Sequence, residues 1–316
     1  MVEVSIVVPS HRGAHRLPTI IESFGRQTLG RTGDIEMIVV LDGDVDGSQE
    51  IATRAAGELP VRVIAFPENR GRSAALNAGF EAARGDVLVR ADDDLYLEED
   101  FAAHHYRLHQ AARCGVVGMC RDVFPDTPYA RAYGIGADRR IRTMAFETPP
   151  DRAWRWWSGN VSTTREDYDR VGGYDESFRE YGWEDIDWGY RLHLLGVPIV
   201  IPQDFTTLHH GPVTSTVERA SRAYSTGAAR RRFVHKHGPE ALGGEAPERT
   251  LWNTLVAMTS YGTTETTIPR VAALADRAIG WVPPRVGEKA VALLVQAAAR
   301  AGDRVAERRS SSVVVG

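Results

Sequence analysis

The 316-residue chain is 43% apolar and 25% charged, proportions of a globular protein that exclude wholesale disorder and fibrous architecture. Its 38 lysines and arginines against 42 acids leave a net charge of −4, which argues against a global nucleic-acid-binding face. Two cysteines, Cys114 and Cys120, make neither a disulfide framework nor a zinc site, the first apolar stretch is too short for a signal peptide, and no apolar run reaches the length of a spanning helix; a cytoplasmic enzyme is expected.

The β-branched run Val4-Ser5-Ile6-Val7-Val8 reads as a buried strand, and Leu17, Ile20, Ile21 and Phe24 set a helical period over 17–24. A second strand covers 35–41, followed by a helix over 48–56 with Ser48 as its N-cap. Residues 61–66 give a third strand, 73–84 an Ala-rich helix closed by Gly85, and 86–91 a fourth strand. Strands alternating with helices predict an α/β architecture, a mostly parallel Rossmann-like sheet flanked by helices. Residues 113–164 read as short β-like pieces with Trp154, Trp156 and Trp157. An acidic-aromatic segment over 180–188 leads into a helix at Gly189–Leu195, and Val197 to Ile201 reads as a further strand. Beyond residue 215 the composition predicts a helical C-terminal extension, with 310–316 as a frayed tail.

In open α/β sheets, ligands sit at the carboxyl ends of the strands. Here those ends carry Pro9-Ser10-His11-Arg12, Asp42-Gly43-Asp44 and Asp92-Asp93-Asp94. Three adjacent carboxylates after a buried strand repel one another unless a cation or donor groups compensate. Asp92 and Asp94 point the same way from an extended chain, and oxygen ligands suit Mg²⁺ or Mn²⁺. Neither a Rossmann glycine fingerprint nor a Walker lysine loop follows the first strand. Asn69-Arg70-Gly71-Arg72-Ser73, at a helix start, offers amides and guanidinium groups to a diphosphate.

The motifs Val7-Val8-Pro9-Ser10, Val40-Leu41-Asp42-Gly43, 69–79 and Ala91-Asp92-Asp93-Asp94, followed by Gly172-Gly173-Tyr174-Asp175 and Trp183-Glu184-Asp185, resemble in order and spacing those of family 2 glycosyltransferases over residues 3–215. The resemblance implies a GT-A fold and inverting sugar transfer from a nucleotide donor, with UDP first by family frequency and dTDP and GDP open. It divides the chain into a donor half (1–112), an acceptor and catalytic half of the same domain (113–215) and the helical extension (216–316).

Carried over residue by residue, Asp42 pairs with the nucleobase, Pro9, Ser10 and Arg12 line that pocket, and Asn69 and Arg72 serve the diphosphate. Asp92 lies near the ribose, Asp94 binds the metal, and Asp93 fills the variable place. Glu184-Asp185 matches the acceptor-side acidic motif, with Asp185 as the base and Glu184 bonding acceptor hydroxyls; a helix start favoured by its dipole is the plainer alternative. His209, with His210 as its rival, completes the metal site. Trp157, Asn160 and Trp183 stand with Glu184 as acceptor-binding candidates, against core packing for any single tryptophan. The acceptor is expected to be a glycan, a lipid-linked sugar or a small-molecule natural product, with no nucleic acid among the partners. The basic stretch Arg230-Arg231-Arg232 with His235-Lys236-His237 leaves contact with the inner face of a membrane open, and self-association is equally open. Rival readings are a sugar-phosphate nucleotidyltransferase, which wants a Gly-rich basic first loop that 9–13 is not, and an inactive nucleotide-sugar-binding module.

Overall fold

A computed structural model describes residues 2–29, 34–179, 182–243 and 250–313. Glu180 and Tyr181 of the acidic-aromatic segment, and 314–316 of the expected tail, lie outside them. The chain divides into two compact units. The first comprises Met1–Val123, Arg140–Ser177 and Glu184–Gly211; the second comprises Phe124–Arg139, Phe178–Trp183 and Pro212–Gly316.

The strands are β1 (Val4–Ser10), β2 (Ile35–Leu41), β3 (Val61–Ala65), β4 (Val87–Ala91), β5 (Leu95–Tyr96), β6 (Gly115–Val117), β7 (Met119–Asp122), β8 (Asn160–Thr164), β9 (Ile199–Val200) and β10 (Thr206–His209). Seven form one sheet in the order β3-β2-β1-β4-β8-β6-β9, and β5-β10-β7 form a second. Strands β1 to β4 run parallel, with Val4 opposite both Ile35 and Val87. Strand β8 runs antiparallel between β4 and β6. Strands β1, β2 and β4 are buried along their whole length, which explains their near-continuous apolar sequence.

The helices are α1 (Leu17–Phe24), α2 (Ser48–Ala56), α3 (Arg72–Ala82), α4 (Phe101–Ala111), α5 (Ile135–Phe146), α6 (Arg165–Val171), α7 (Glu184–Leu194), α8 (Thr216–His237), α9 (Leu251–Tyr261), α10 (Ile268–Ala278) and α11 (Pro284–Val313). Strands and helices alternate over the first hundred residues as expected. Several local expectations change. Ser48 is the first helical residue and not the cap: Asp46 Oδ1 accepts hydrogen bonds from its backbone N–H and its hydroxyl. Helix α3 ends at Ala82, before Gly85. The segment expected to hold only β-like pieces contains α5, entered through a π-helical turn at Ala130–Gly134. The expected tail is helical through Val313.

The second unit is helical, with Tyr129, Tyr133, Ala137, Val213, Ile279 and Val291 forming one buried cluster. Its basic run on α8 is paired largely within the unit. Arg230 and Arg231 pair with Asp303 and Glu307 of α11, and Arg232 and Lys236 lie over the Phe178 ring. No helix among the described residues is long and apolar enough to cross a membrane.

Candidate functional site

The carboxyl ends of β1, β2 and β4 bring the expected donor residues together. Asp42, 4% exposed at the end of β2, uses its carboxylate as a clamp. Oδ1 accepts from Arg70 N at 2.6 Å, and Oδ2 accepts from Gly71 N at 3.0 Å. This fixes the Asn69–Arg72 loop at the start of α3 and turns its amides toward negative charge. Beyond Ser10, His11 Nδ1 lies 2.7 Å from the Asp42 carbonyl oxygen, and Asn69 Nδ2 lies 3.3 Å from the same ring nitrogen. Pro9 is buried in β1, whereas Arg12 is exposed with φ +52°.

The three aspartates after β4 face three different partners. Asp93 turns back toward β1, accepting from Ser10 Oγ at 2.5 Å and from Arg16 Nε and Nη2, each at 2.9 Å. Burial still holds its pKa above the ordinary value, since these bonds offset desolvation only in part. Asp92 accepts from Arg90 Nε at 3.0 Å. Burial alone would raise Asp92, but Arg90 and Arg72 outweigh it and hold the carboxyl below its usual range. Asp94 points toward β10, where His209 Nε2 lies 3.2 Å from Oδ2.

His209 stands between two acids, with Nδ1 2.6 Å from Asp122 Oδ1. Burial would lower its pKa, but the bonds to Asp122 and Asp94 outweigh that and push it up to about 10. Asp94 Oδ1 is buried with no hydrogen-bond partner among the described residues. Gly211 is required here by close approach: a Cβ would lie 2.1 Å from Asp94 Oδ2. His210 is exposed, and only its backbone N–H reaches Asp94, at the carbonyl oxygen. The histidine beside the candidate metal carboxylate is therefore His209. No group of three or more His, Cys, Asp or Glu side chains is poised to hold a metal among the described residues. Asp94 and His209 nonetheless suit a hard or borderline cation. One offers an orphaned oxygen, the other a ring nitrogen oriented by a carboxylate on its far side.

Glu184 and Asp185 open α7, the position the plainer reading gave them, but they are buried at 4% and 8% exposure. Burial and the neighbouring Asp185 push the Glu184 carboxyl up to about 7, against the pull of Arg72 and Arg90. Glu184 Oε1 lies 3.5 Å from Arg72 Nη1, and its Oε2 is buried without a hydrogen-bond partner among the described residues. Asp185 Oδ1 accepts from Arg90 Nη1. Asp187, third acid of the turn, is fully buried against Arg191 at 2.9 Å.

Two expected acceptor residues prove to be core. Trp157 is 2% exposed, stacks on Trp188 at 4.9 Å and donates its indole N–H to Tyr174 Oη. No face of its ring is left for a sugar. Asn160 is wholly buried; Nδ2 donates to Thr207 Oγ1 and Oδ1 meets His105 Nε2. Trp183, in the second unit, has φ +73°, packs 5.1 Å from the Phe233 ring and keeps a buried indole N–H without a partner among the described residues. Sequence reasoning missed Arg16 and Arg90. A lone arginine inside the apolar run Val87-Leu88-Val89 was the available signal for the second.

The sequence profile of Glycosyl transferase family 2 matches residues 5–172, and that of the N-terminal domain of galactosyltransferase matches 139–211. Validoxylamine A glucosyltransferase of Streptomyces hygroscopicus subsp. jinggangensis is 26% identical over 240 residues, 64% of this chain and 54% of that protein. The chain thus spans about half the length of that relative. Among solved structures, a mannosyltransferase from Pyrobaculum calidifontis in complex with GDP-Man and Mn²⁺ superimposes with a TM-score of 0.59 at 19% identity, covering 95% of this chain and 86% of that one. S. aureus TarS 1-349 in complex with UDP-GlcNAc gives 0.52 at 13%, covering 92% and 90%. These likenesses establish the GT-A fold, and a family profile matching more than half of the chain establishes that it belongs to glycosyl transferase family 2.

Proposed function

We propose that the protein transfers a glycosyl residue from a nucleoside diphosphate sugar, UDP first, to an acceptor hydroxyl with inversion at the anomeric carbon. The reading rests on one observation above all. Carboxylates far apart in sequence, Asp92 after β4 and Asp185 at the start of α7, converge on the guanidinium of Arg90. A donor-side acid and an acceptor-side acid a few ångströms from one cation suit a single displacement between two bound substrates. Residues 1–112 supply the donor side and 113–215 the acceptor side in this reading, with 216–316 outside the chemistry.

The Arg70 and Gly71 amides are taken by Asp42, which leaves the Arg72 guanidinium, at the start of the helix they fix, as the group for the diphosphate. Asp94 and His209 would hold Mg²⁺ or Mn²⁺, which when bound neutralises charge on the leaving diphosphate. Asp185 takes the proton as the acceptor oxygen attacks the anomeric carbon and the bond from that carbon to the phosphate oxygen breaks. Glu184, with its orphaned Oε2 and a pKa near neutrality, hydrogen-bonds a second acceptor hydroxyl. Structural neighbours hold GDP-Man and UDP-GlcNAc, and the relative named for validoxylamine A makes a small-molecule acceptor the first class to try.

A panel of UDP-, GDP- and dTDP-sugars, each with Mn²⁺ or with chelator, tests the donor by calorimetry. At least one nucleotide sugar should bind, and Asp94→Ala or chelator should weaken it at least about tenfold, a loss of 1.4 kcal/mol. Undiminished affinity in both conditions would refute the metal's place in the site. A product that retains the anomeric configuration would refute single displacement.

A further inference from the structure

Arg90 is an arginine in the middle of a fully buried strand, and no part of it is exposed. Burying a guanidinium costs several kcal/mol unless charge and hydrogen bonds replace its water. Strand geometry points Arg90 and Asp92 to the same face, two residues apart, and Nε and Nη2 both lie 3.0 Å from Asp92 Oδ1. Nη1 donates instead to Asp185 Oδ1, ninety-five residues further along the chain. The planar group therefore makes its hydrogen bonds in one fixed plane: Nε to the acid expected near the donor and Nη1 to the acid expected to serve the acceptor, with Nη2 close to Asp92 but without a hydrogen-bond partner among the described residues. A lysine's ammonium has three donors but no fixed plane, so it would not set the direction of either carboxylate.

We propose that Arg90 is a positioning residue that holds the Asp185 carboxylate in fixed register with the donor-side Asp92, so that the base faces the acceptor hydroxyl as it attacks. This rests on Asp185 being the base. Being wholly buried, Arg90 touches no substrate and acts through the carboxylates it holds, Asp185 on the acceptor side and Asp92 on the donor side. A base displaced by about 1 Å can lose about 10²-fold in rate, so register is worth as much as much of general-base catalysis itself.

The test uses the full chain with Arg90→Lys, which keeps a buried cation but loses the fork. Arg90→Gln, neutral and able to donate to one acid, replaces it if the lysine variant does not fold. Calorimetry with UDP and Mn²⁺ reads the donor side. Hydrolysis of UDP-glucose, with water in the acceptor's place, reads the base. The expected result is UDP affinity within about threefold of the parent with turnover down about 10²-fold. Turnover within threefold in a folded variant would overturn the proposal. In an Asp185→Asn background the Arg90 substitution should add nothing to the loss of turnover at saturating donor, since that loss runs through the Asp185 carboxylate, and any effect through Asp92 is read separately in the UDP affinity. If Asp185→Asn lowers hydrolysis to a measurable residue and the Arg90 substitution still multiplies that loss, Arg90 acts elsewhere and the proposal fails. If Asp185→Asn keeps full turnover, the base assignment fails first, and that outcome is separately visible. Carbon-13 carboxylate spectra need no substrate: the Asp185 resonance, assigned by its loss in Asp185→Asn, should shift in Arg90→Lys. An unmoved resonance refutes the proposal whatever the kinetics.

Discussion

Adjacent in sequence, Glu184 and Asp185 are held in opposite ways: Asp185 by a buried cation, Glu184 with one oxygen unbonded. Asp185→Asn keeps shape and hydrogen bonding but cannot accept the acceptor proton near neutral pH. Turnover should fall about 10²–10⁴-fold while donor affinity stays within a small factor. Loss on Glu184→Gln with Asp185→Asn near normal would reverse the pair. A second residue-scale consequence concerns acid. Burial lowers His105 to about 3 and His109 to about 4, both beside Ser162 Oγ. Their folded pKa values lie below the unfolded 6.5, so the unfolded chain takes protons first. The stability these two contribute is complete above pH 6.5 and is lost as pH falls from 6.5 toward 3. Glu184 acts with the opposite sign between about 7 and 4.5, because its folded form takes the proton first. The informative comparison is therefore a difference. Between pH 7 and 5, His109→Gln should lose less thermal stability than the parent chain; parallel curves would show that His109 is not held neutral. None of this was legible in the sequence, where a histidine on a helix face carries no sign of what covers it. Arg90 was legible in principle. The tryptophan cluster misled because a stacking ring and a core ring look alike until Trp188 is seen beside Trp157.

Among the elements, α8 and α3 show how a helix end or face is set from a distance. The N-terminus of α8 is capped twice. Ser215 Oγ accepts from Glu218 N at 3.1 Å, and Asp276, on α10, accepts from Thr216 N at 2.9 Å. Removing the second cap with Asp276→Ala should cost about 1 kcal/mol in urea unfolding, less than a sole cap would, since Ser215 remains. A variant as stable as the parent would show that water replaces the carboxylate fully. On α3, a Cβ at Gly79 would lie 2.3 Å from Val7 Cγ1, on a wholly buried strand that cannot retreat. Helix propensity favours alanine by about 1 kcal/mol. Overpacking costs about 1–3 kcal/mol, so Gly79→Ala should destabilise on balance, and a gain in the urea midpoint would contradict the packing. The alternating elements up to β4 were readable because buried parallel strands leave unbroken apolar runs. Helix α5 was not, because its arginines, Ile135 and Met144 include exposed positions that blur the helical period. The start of α7 at Glu184-Asp185 was among the readings, but not its burial against arginines, which no solvated helix start would show.

For the molecule as a whole, the second unit is not one continuous tail. It takes Phe124–Arg139 and Phe178–Trp183 as well as Pro212–Gly316. A chain cut at residue 215 should therefore strand Tyr129, Tyr133 and Ala137 without Ile279 and Val291. Poor solubility and loss of cooperative melting are the expected result, read by size exclusion and thermal unfolding. A soluble, cooperatively melting 1–215 fragment would show that these residues find other cover.

The antiparallel β8 also sets a clock. In the finished sheet β4 is flanked by β1 and β8, and β6 reaches β4 only through β8. While the chain is being made, β1 to β4 can assemble early, but the outer edge of β4 has no partner until Thr164 has emerged. At about 5–20 residues per second, that edge of Val87, Leu88 and Val89 stays open for several seconds, an apolar template on which any neighbouring nascent strand could add. Synthesis speed between β4 and β8, and whatever holds that edge meanwhile, should govern the yield of folded protein more strongly than any substitution on the finished surface.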